Sequence, residues 1–398
     1  MHPKKTIRSL AQLPTVPATI DTMAWNQTGS WRYFSPSPVN KMPPCQTQCP
    51  AGMPVPEIIN ALLKEEDHAA RAAIYRQNPL PGLTSRLCYH PCQTKCIRRE
   101  LDQNIAIQQI ERYLAEEAID QPPSVAASLA GPVAIIGAGP VGLACAYFLK
   151  LNRVEAVLMD TKSRAGGDLL SIPSDKLNPQ IVATEIERLV RQSDLDLRLG
   201  QNLSAQEMAV WTEPYQMAVI DPTSQGTLTG PMDPLPPLDP FEKAALTDQV
   251  YQLTLPPNLL PFKPAMIAHY IGAGHMAAKC IARSLSGSPS LKLQLVELDG
   301  RVLRDQIRLE YFEAGEPGSR KFGKQQNIWP RAQVMEEAGR CLSCGTCNQC
   351  GQCVLFCPDA SIRTNATGVS VDLFHCKGCG VCAYECPRGV ITMEGDNE

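Results

Sequence analysis

"VAIIGAGPVGLACAYFLK", residues 133–150, begins as an apolar strand-like run, turns on three glycines and continues with helical composition. Gly137, Gly139 and Gly142 stand in a G-x-G-x-x-G turn, with Pro140 inside it as a helix-starting residue. "EAVLMD" follows as a second strand and ends at Asp160, 23 residues beyond Gly137. Strand, glycine turn, helix and acid in this register predict the βαβ start of a Rossmann-like sheet. Glycines there let a pyrophosphate approach the helix N-terminus, and the acid hydrogen-bonds a ribose hydroxyl. The pattern alone does not separate FAD from NAD.

Working outward, the uncharged run 131–149 is long enough to imitate a membrane helix, but the glycine spacing explains it better. The 398 residues allow two or three domains. A formal net charge of −3, with no Lys/Arg block, argues against a nucleic-acid partner. The N-terminus lacks the apolar core of a secretory signal, so the expected location is cytoplasmic, with no transmembrane segment.

Fifteen of the seventeen cysteines fall in three groups, at 45–49, 88–96 and 341–386. Cys145 and Cys280 stand alone in apolar helical stretches and read as packing residues. Clustered C-x2-C and C-x3-C spacings without a signal peptide predict metal rather than disulfides. Cysteines recur every third residue from 341 to 353, but only Cys347, Cys350, Cys353 and Cys357 complete the C-x2-C-x2-C-x3-C-P pattern. Cys376, Cys379, Cys382 and Cys386 repeat it. In two-cluster folds of this type the fourth cysteine of each run serves the other cluster. The expected sets are Cys347, Cys350 and Cys353 with Cys386, and Cys376, Cys379 and Cys382 with Cys357. Cys341 and Cys344 remain over, as structural thiols or as ligands of an additional centre.

The fold class expected is multidomain α+β and α/β. Residues 1–44 read as an extended arm and 45–120 as a helical 4Fe–4S domain. Residues 131–330 form the Rossmann-like domain, interrupted by a proline-rich connector at 229–264, and 341–398 a two-cluster ferredoxin-like domain. The stretches 56–76 and 105–117 have helical spacing, the latter through Ile107, Ile110 and Leu114.

Beyond Asp160, "DTKSRAGGDLLSIPSDKLNPQIVATEIERLV" resembles the glutamate synthase small-subunit family. "PPCQTQCPAGMPVPEIINALL", "RLCYHPCQTKCIRRELDQNIAIQQIERY" and "IRLEYFEAG…EEAGRCLSCG" resemble other parts of it. The resemblance implies FAD on the glycine turn, with Asp160 on its ribose and Gly166, Gly167, Leu169, Ile172 and Pro173 near the flavin. It places Gly274, in "HYIGAGHMAAKCIARSL", on the last FAD-contacting helix; a second dinucleotide fingerprint is the rival reading. It also implies one N-terminal 4Fe–4S cluster from four of Cys45, Cys49, Cys88, Cys92 and Cys96, with Glu111 at a position that supplies a non-cysteine ligand in some relatives. The family's earlier C-x2-C-x4-C run is absent, and no stretch is long enough for its NADPH-binding domain. "CKGCGVCAYECPRGVITM" resembles the ferredoxin-like delta subunit of pyruvate:ferredoxin-type 2-oxoacid oxidoreductases.

Together these readings imply three 4Fe–4S clusters and FAD in an electron-transfer subunit. Its expected partners are the catalytic subunits of a larger oxidoreductase, of 2-oxoacid type, and a soluble ferredoxin or similar carrier. A stand-alone NAD(P)H-dependent oxidoreductase, a glutamate-synthase-type small subunit and a non-catalytic iron–sulfur scaffold are the alternatives.

Overall fold

The computed structural model describes residues 27–116, 130–201, 212–221, 237–238, 250–253, 255, 259, 261–286, 300–315, 327–366 and 368–395. After strand β1 (Phe34–Pro38) come six short helices: α1 (Pro44–Gln48), α2 (Val55–Leu63), α3 (Asp67–Tyr75), α4 (Pro81–Leu87), α5 (Pro91–Thr94) and α6 (Ile107–Glu116). Prolines sit in the first turn of α1, α2, α4 and α5, where a missing N–H costs nothing. The single helix expected over 56–76 is two. Glu65 takes a left-handed φ of 61° and breaks it, which lets α3 fold back on α2. On α6, Ile107, Ile110 and Leu114 are all buried.

The central sheet contains β2 (Ala130–Ile136), β3 (Val154–Asp160), β4 (Asp196–Leu199), β5 (Met217–Ile220), β6 (Pro237–Leu238) and β7 (Val250–Leu253). All are parallel, in the order β4-β3-β2-β5-β7-β6. Helices α7 (Pro140–Leu151), α8 (Pro179–Ser193) and α9 (Ile267–Ser286) accompany it. The uncharged run 131–149 is thus β2, a turn and most of α7, and no helix among the described residues is long and apolar enough to cross a membrane. The proline-rich segment contributes β6 and β7; the remainder of 229–260 lies almost wholly outside the described residues, as do residues 117–129 and 1–26.

One hydrophobic core runs from the helical part into the sheet part, joining Ile59, Leu62, Leu83 and Leu114 to Leu143, Ala144 and Ile271. Polar contacts reinforce the junction: Tyr147 Oη donates to the Tyr75 carbonyl at 2.6 Å, and Gly82 N–H to Glu185 Oε2 at 2.9 Å.

Helix α10 (Arg331–Gly339) leads into the C-terminal part, made of α11 (Gln352–Leu355), β8 (Ile362–Asn365), β9 (Gly368–Val371), α12 (Val381–Tyr384) and β10 (Ile391–Gly395). Strand β1 pairs antiparallel with β10 from Phe34↔Gly395 to Pro38↔Ile391. Residues 27–42 therefore strap the C-terminal part of their own chain, with Lys41 Nζ donating to the Gly389 carbonyl at 2.8 Å. A Cβ on Gly378 would strike the Phe34 carbonyl and one on Gly345 the Lys41 carbonyl. These glycines admit the strap's backbone, a reason that spacing in the sequence does not reveal.

Candidate metal centres and dinucleotide fold

In the C-terminal part, α11 and α12 each begin directly after a glycine of left-handed φ, Gly351 and Gly380, and carry Cys353 and Cys382. Burial pushes the Cys353 thiol up to about 12; Cys386, Cys350 and Cys347 act on it in the same direction. Burial pushes Cys382 to about 11, with Cys376, Cys357 and Cys379 adding to it. The strongest thiol neighbours of each are thus those of the cross-paired sets, with Cys382 acting on Cys353 more weakly than those three. A cavity is lined by Cys357, Cys376, Cys379 and Cys382 together with Pro36 and Ser361. Ser361 N–H points at Cys357 Sγ from 3.3 Å and Val390 N–H at Cys386 Sγ from 3.4 Å. Such amide donors favour a thiolate over a thiol, as a metal ligand requires.

The helical part holds a second cavity, walled by Ile58, Ile59, Ile107 and Ile110 and lined by Cys49, Cys88, Cys92 and Glu111. Glu111 is fixed by Asn78 Nδ2, which donates to its Oε1 at 3.0 Å, and by Thr84 Oγ1, which donates to the same atom. His90 lines the same cavity, with Nε2 3.5 Å from Glu111 Oε2, and its N–H donates to Cys88 Sγ at 3.3 Å. Burial pushes Cys88 up to about 12, opposed by that amide and aided by Glu111 and Cys49. Burial likewise raises Cys92 and Cys49.

The five N-terminal cysteines therefore divide. Cys49, Cys88 and Cys92 share the cavity with Glu111, whereas Cys45 has Cys96, Cys341, Cys344 and Cys92 as its thiol neighbours. Among the described residues no His, Cys, Asp and Glu converge tightly enough to hold a single metal ion. A cubane presents one iron to each thiolate, so its ligands stand further apart than those of one ion. The donor sets fit clusters of that kind: burial raises the Cys88, Cys353 and Cys382 thiols so that a cation must replace the proton, and aimed amides and apolar walls complete the sites.

At the glycine turn, Gly137 has φ of 110° and donates its N–H to Met159 O at 2.7 Å, and Gly139 caps α7, whose first residue is Pro140. Asp160 is fully buried; Oδ2 accepts from Ala138 N–H at 2.8 Å and Oδ1 from Lys162 N–H at 2.9 Å. It ties the turn to the loop after β3. Leu169 and Ile172 are buried in the main core beside Gly166 and Gly167. Gly274 lies within the continuous helix α9, and a Cβ there would come 2.6 Å from Val141 O and 2.7 Å from Ala144 Cβ. Its place is the α9–α7 contact, and among the described residues no strand–turn leads into it as a second dinucleotide fingerprint would require.

Sequence reasoning missed Asp221. It follows β5 at the point where strand order reverses, donates its N–H to Ile136 O at 2.8 Å and accepts from Gly142 N–H through Oδ2 at 2.8 Å. A dinucleotide's pyrophosphate uses this helix N-terminus. The backbone of the turn fits such a group; a carboxylate already seated on the Gly142 amide does not fit its charge. The sequence shows an acid at the strand end of "AVID", but only the pairing of β5 with β2 brings it to the glycine turn.

Residues 39–122 match the model of the dihydropyrimidine dehydrogenase domain II 4Fe–4S cluster, 135–186 that of an NAD(P)-binding Rossmann-like domain, and 369–392 that of a 4Fe–4S binding domain. The chain is 29% identical over 194 residues to the beta subunit of the NADP(+)-dependent formate dehydrogenase of Moorella thermoacetica, covering 42% of this chain and 27% of that protein. It is 30% identical over 177 residues to the NADPH–Fe(3+) oxidoreductase subunit beta of Geobacter sulfurreducens, covering 42% and 26%. To the glutamate synthase [NADPH] small chain of Escherichia coli it is 32% identical over 152 residues, covering 36% and 32%. The chain spans less than a third of the length of each of these curated relatives. The chain thus combines two 4Fe–4S segments with a Rossmann-like NAD(P)-binding segment, similar to oxidoreductase subunits.

Proposed function

We propose that the chain is an electron-transfer subunit of a larger oxidoreductase and carries its electrons on 4Fe–4S clusters. The observation that supports this best is the crossing of the two C-terminal runs, Cys386 beside Cys347, Cys350 and Cys353, and Cys357 beside Cys376, Cys379 and Cys382. Those sets would hold two clusters, and Cys49, Cys88 and Cys92 with Glu111 a third. Each cluster supplies a site for one electron. The protein's own part is to exclude water with the isoleucine walls, to aim the His90, Ser361 and Val390 amides at sulfur, and to hold Glu111 in place through Asn78 and Thr84. Cys350 and Cys379 are exposed, which suits electron exchange with a docked partner.

The Rossmann-like part is the seat of FAD in this reading, on the resemblance of "GAGPVG" and the segment after Asp160. Because Asp221 opposes the pyrophosphate, no electron step is routed through it. The partner in this reading is the catalytic subunit of a 2-oxoacid:acceptor oxidoreductase, on the resemblance of 376–393, with a soluble ferredoxin-like carrier as the exchange partner. Purified chain should accept electrons from a strong chemical reductant yet fail to reduce a dye with NADH or NADPH. Rapid NADPH-driven dye reduction by the chain alone would identify a stand-alone oxidoreductase instead. Isolation of the native complex under anaerobic conditions names the partner.

A further inference from the structure

We propose that Cys45, Cys96, Cys341 and Cys344 hold a fourth 4Fe–4S cluster, assembled from the two ends of the chain. The inference rests on the iron–sulfur reading above and goes beyond it, because it gives a joint role to two cysteines that the ferredoxin pattern leaves over.

The backbone brackets the four residues closely. Lys41, four residues before Cys45, donates its N–H at 2.7 Å to the carbonyl of Gly345, the residue after Cys344. Arg98, two residues after Cys96, donates Nη1–H at 3.0 Å to the carbonyl of Arg340, the residue before Cys341. Arg340 returns the contact through Nη2 to Asp102 Oδ1 at 2.9 Å and to Gln103 O at 2.7 Å. Ser343, between the two tail cysteines, donates Oγ–H to Asn60 Oδ1 at 2.9 Å. Within this frame all six pairs among the four thiols interact electrostatically.

The tail turn itself has the shape of a ligand loop. Ser343 has φ of 50° and aims its N–H at Cys341 Sγ from 3.4 Å. His90, two residues after Cys88, has φ of 52° and makes the same bond at 3.3 Å. Gln349, two residues after Cys347, has φ of 60° and its amide also bonds the cysteine; Gly378, two after Cys376, has φ of 72°. A serine held left-handed is strained, so this turn is imposed by its surroundings rather than by its sequence.

Charge agrees with the assignment. Four thiolates around a cubane leave a net negative charge in a buried place, and Arg98 and Arg340 act on Cys96 while Arg388 acts on Cys341 and Cys344. A four-thiolate zinc site would gather its sulfurs around one ion, and no such convergence occurs among the described residues. The position is also between the other sets. Cys45 has Cys92 of the helical cavity as a neighbour, and Arg388 acts on Cys347 of the ferredoxin-like part as well. A cluster there makes the N-terminal and C-terminal centres one continuous series.

Iron and acid-labile sulfide counted per full-length chain after anaerobic purification test the assignment. The wild type should hold about sixteen of each, four clusters of four. The pairs Cys341→Ala with Cys344→Ala, and Cys45→Ala with Cys96→Ala, should each leave about twelve, and the fourfold variant still about twelve, because both pairs dismantle one site. A wild type with about twelve irons overturns the proposal, as does a zinc ion released by either pair or a fourfold variant reduced to about eight. If a variant fails to fold, the wild-type count alone decides. Absence of iron from every set would defeat the functional reading as well, and so is distinct from loss of the fourth site alone.

Discussion

Arg98 Nη1 donates to the backbone carbonyl of Arg340 across 242 residues of chain, at 3.0 Å. The same guanidinium holds Asp102 through Nε at 2.7 Å and Nη2 at 2.5 Å, and Nη2 also donates to the Glu313 carbonyl at 2.7 Å. This buried cation fastens Glu313 and Arg340 to the helical part. Replacing it strands Asp102 with Arg340 as its remaining ion-pair partner. Arg98→Ala should therefore lower stability by about 2 kcal/mol, read from the shift of a denaturant midpoint. An unchanged midpoint would show that the contact carries no weight.

Glu111 should matter to one centre only. Its Oε1 is fixed by Asn78 and Thr84, and its side chain lines the cavity of Cys49, Cys88 and Cys92. Glu111→Ala should change the EPR signal and midpoint potential of a single cluster, with the ferredoxin-type signals untouched. Identical spectra for wild type and variant would remove Glu111 from the ligand set.

Asp221 sets the charge at the glycine turn. Its carboxylate occupies the Gly142 amide that a pyrophosphate would use. Asp221→Asn should tighten binding of FAD by roughly tenfold, about 1.4 kcal/mol, as measured by titration of fluorescence quenching. Equal affinity for both proteins would mean that the dinucleotide, if bound, avoids the helix end.

His275 makes the fold acid-sensitive. It is buried and stacks on Phe148 with ring centroids 4.0 Å apart; burial, then Lys279, lowers its pKa to about 3. The unfolded imidazole takes a proton near pH 6.5, so above that pH the fold keeps its full stability. As pH falls from 6.5 towards 3 only the unfolded chain gains the proton, and stability declines by about 1.4 kcal/mol per unit. His275→Phe should flatten this decline in unfolding midpoints between pH 7 and 5; a parallel decline would assign it to other groups.

Much of this architecture is legible in local patterns. The β2–turn–α7 unit follows from glycine spacing, and the two ferredoxin-type runs follow from a register that only one choice of cysteines satisfies. What sequence spacing could not supply is what distant segments do to one another. Gly274 imitates a dinucleotide glycine, yet its lack of a side chain answers the approach of α7. Gly345 and Gly378 stand among the cysteines of the tail, and both admit the carbonyls of the N-terminal strap. Cys45 and Cys96 look like part of one N-terminal group. Only the fold shows that they face Cys341 and Cys344 rather than Cys49 and Cys88. Asp221 ends a strand in the sequence, and the pairing of β5 with β2 is what carries it to the glycine turn.

The measurement that bears most directly on the central claim is an anaerobic reductive titration of the full-length chain, followed by EPR and by absorbance. The account predicts stepwise uptake of one electron per cluster, with signals of several interacting 4Fe–4S centres and no requirement for NADH or NADPH. A chain that binds zinc in these cysteine sets, or that takes up no electrons from a strong reductant, would contradict it.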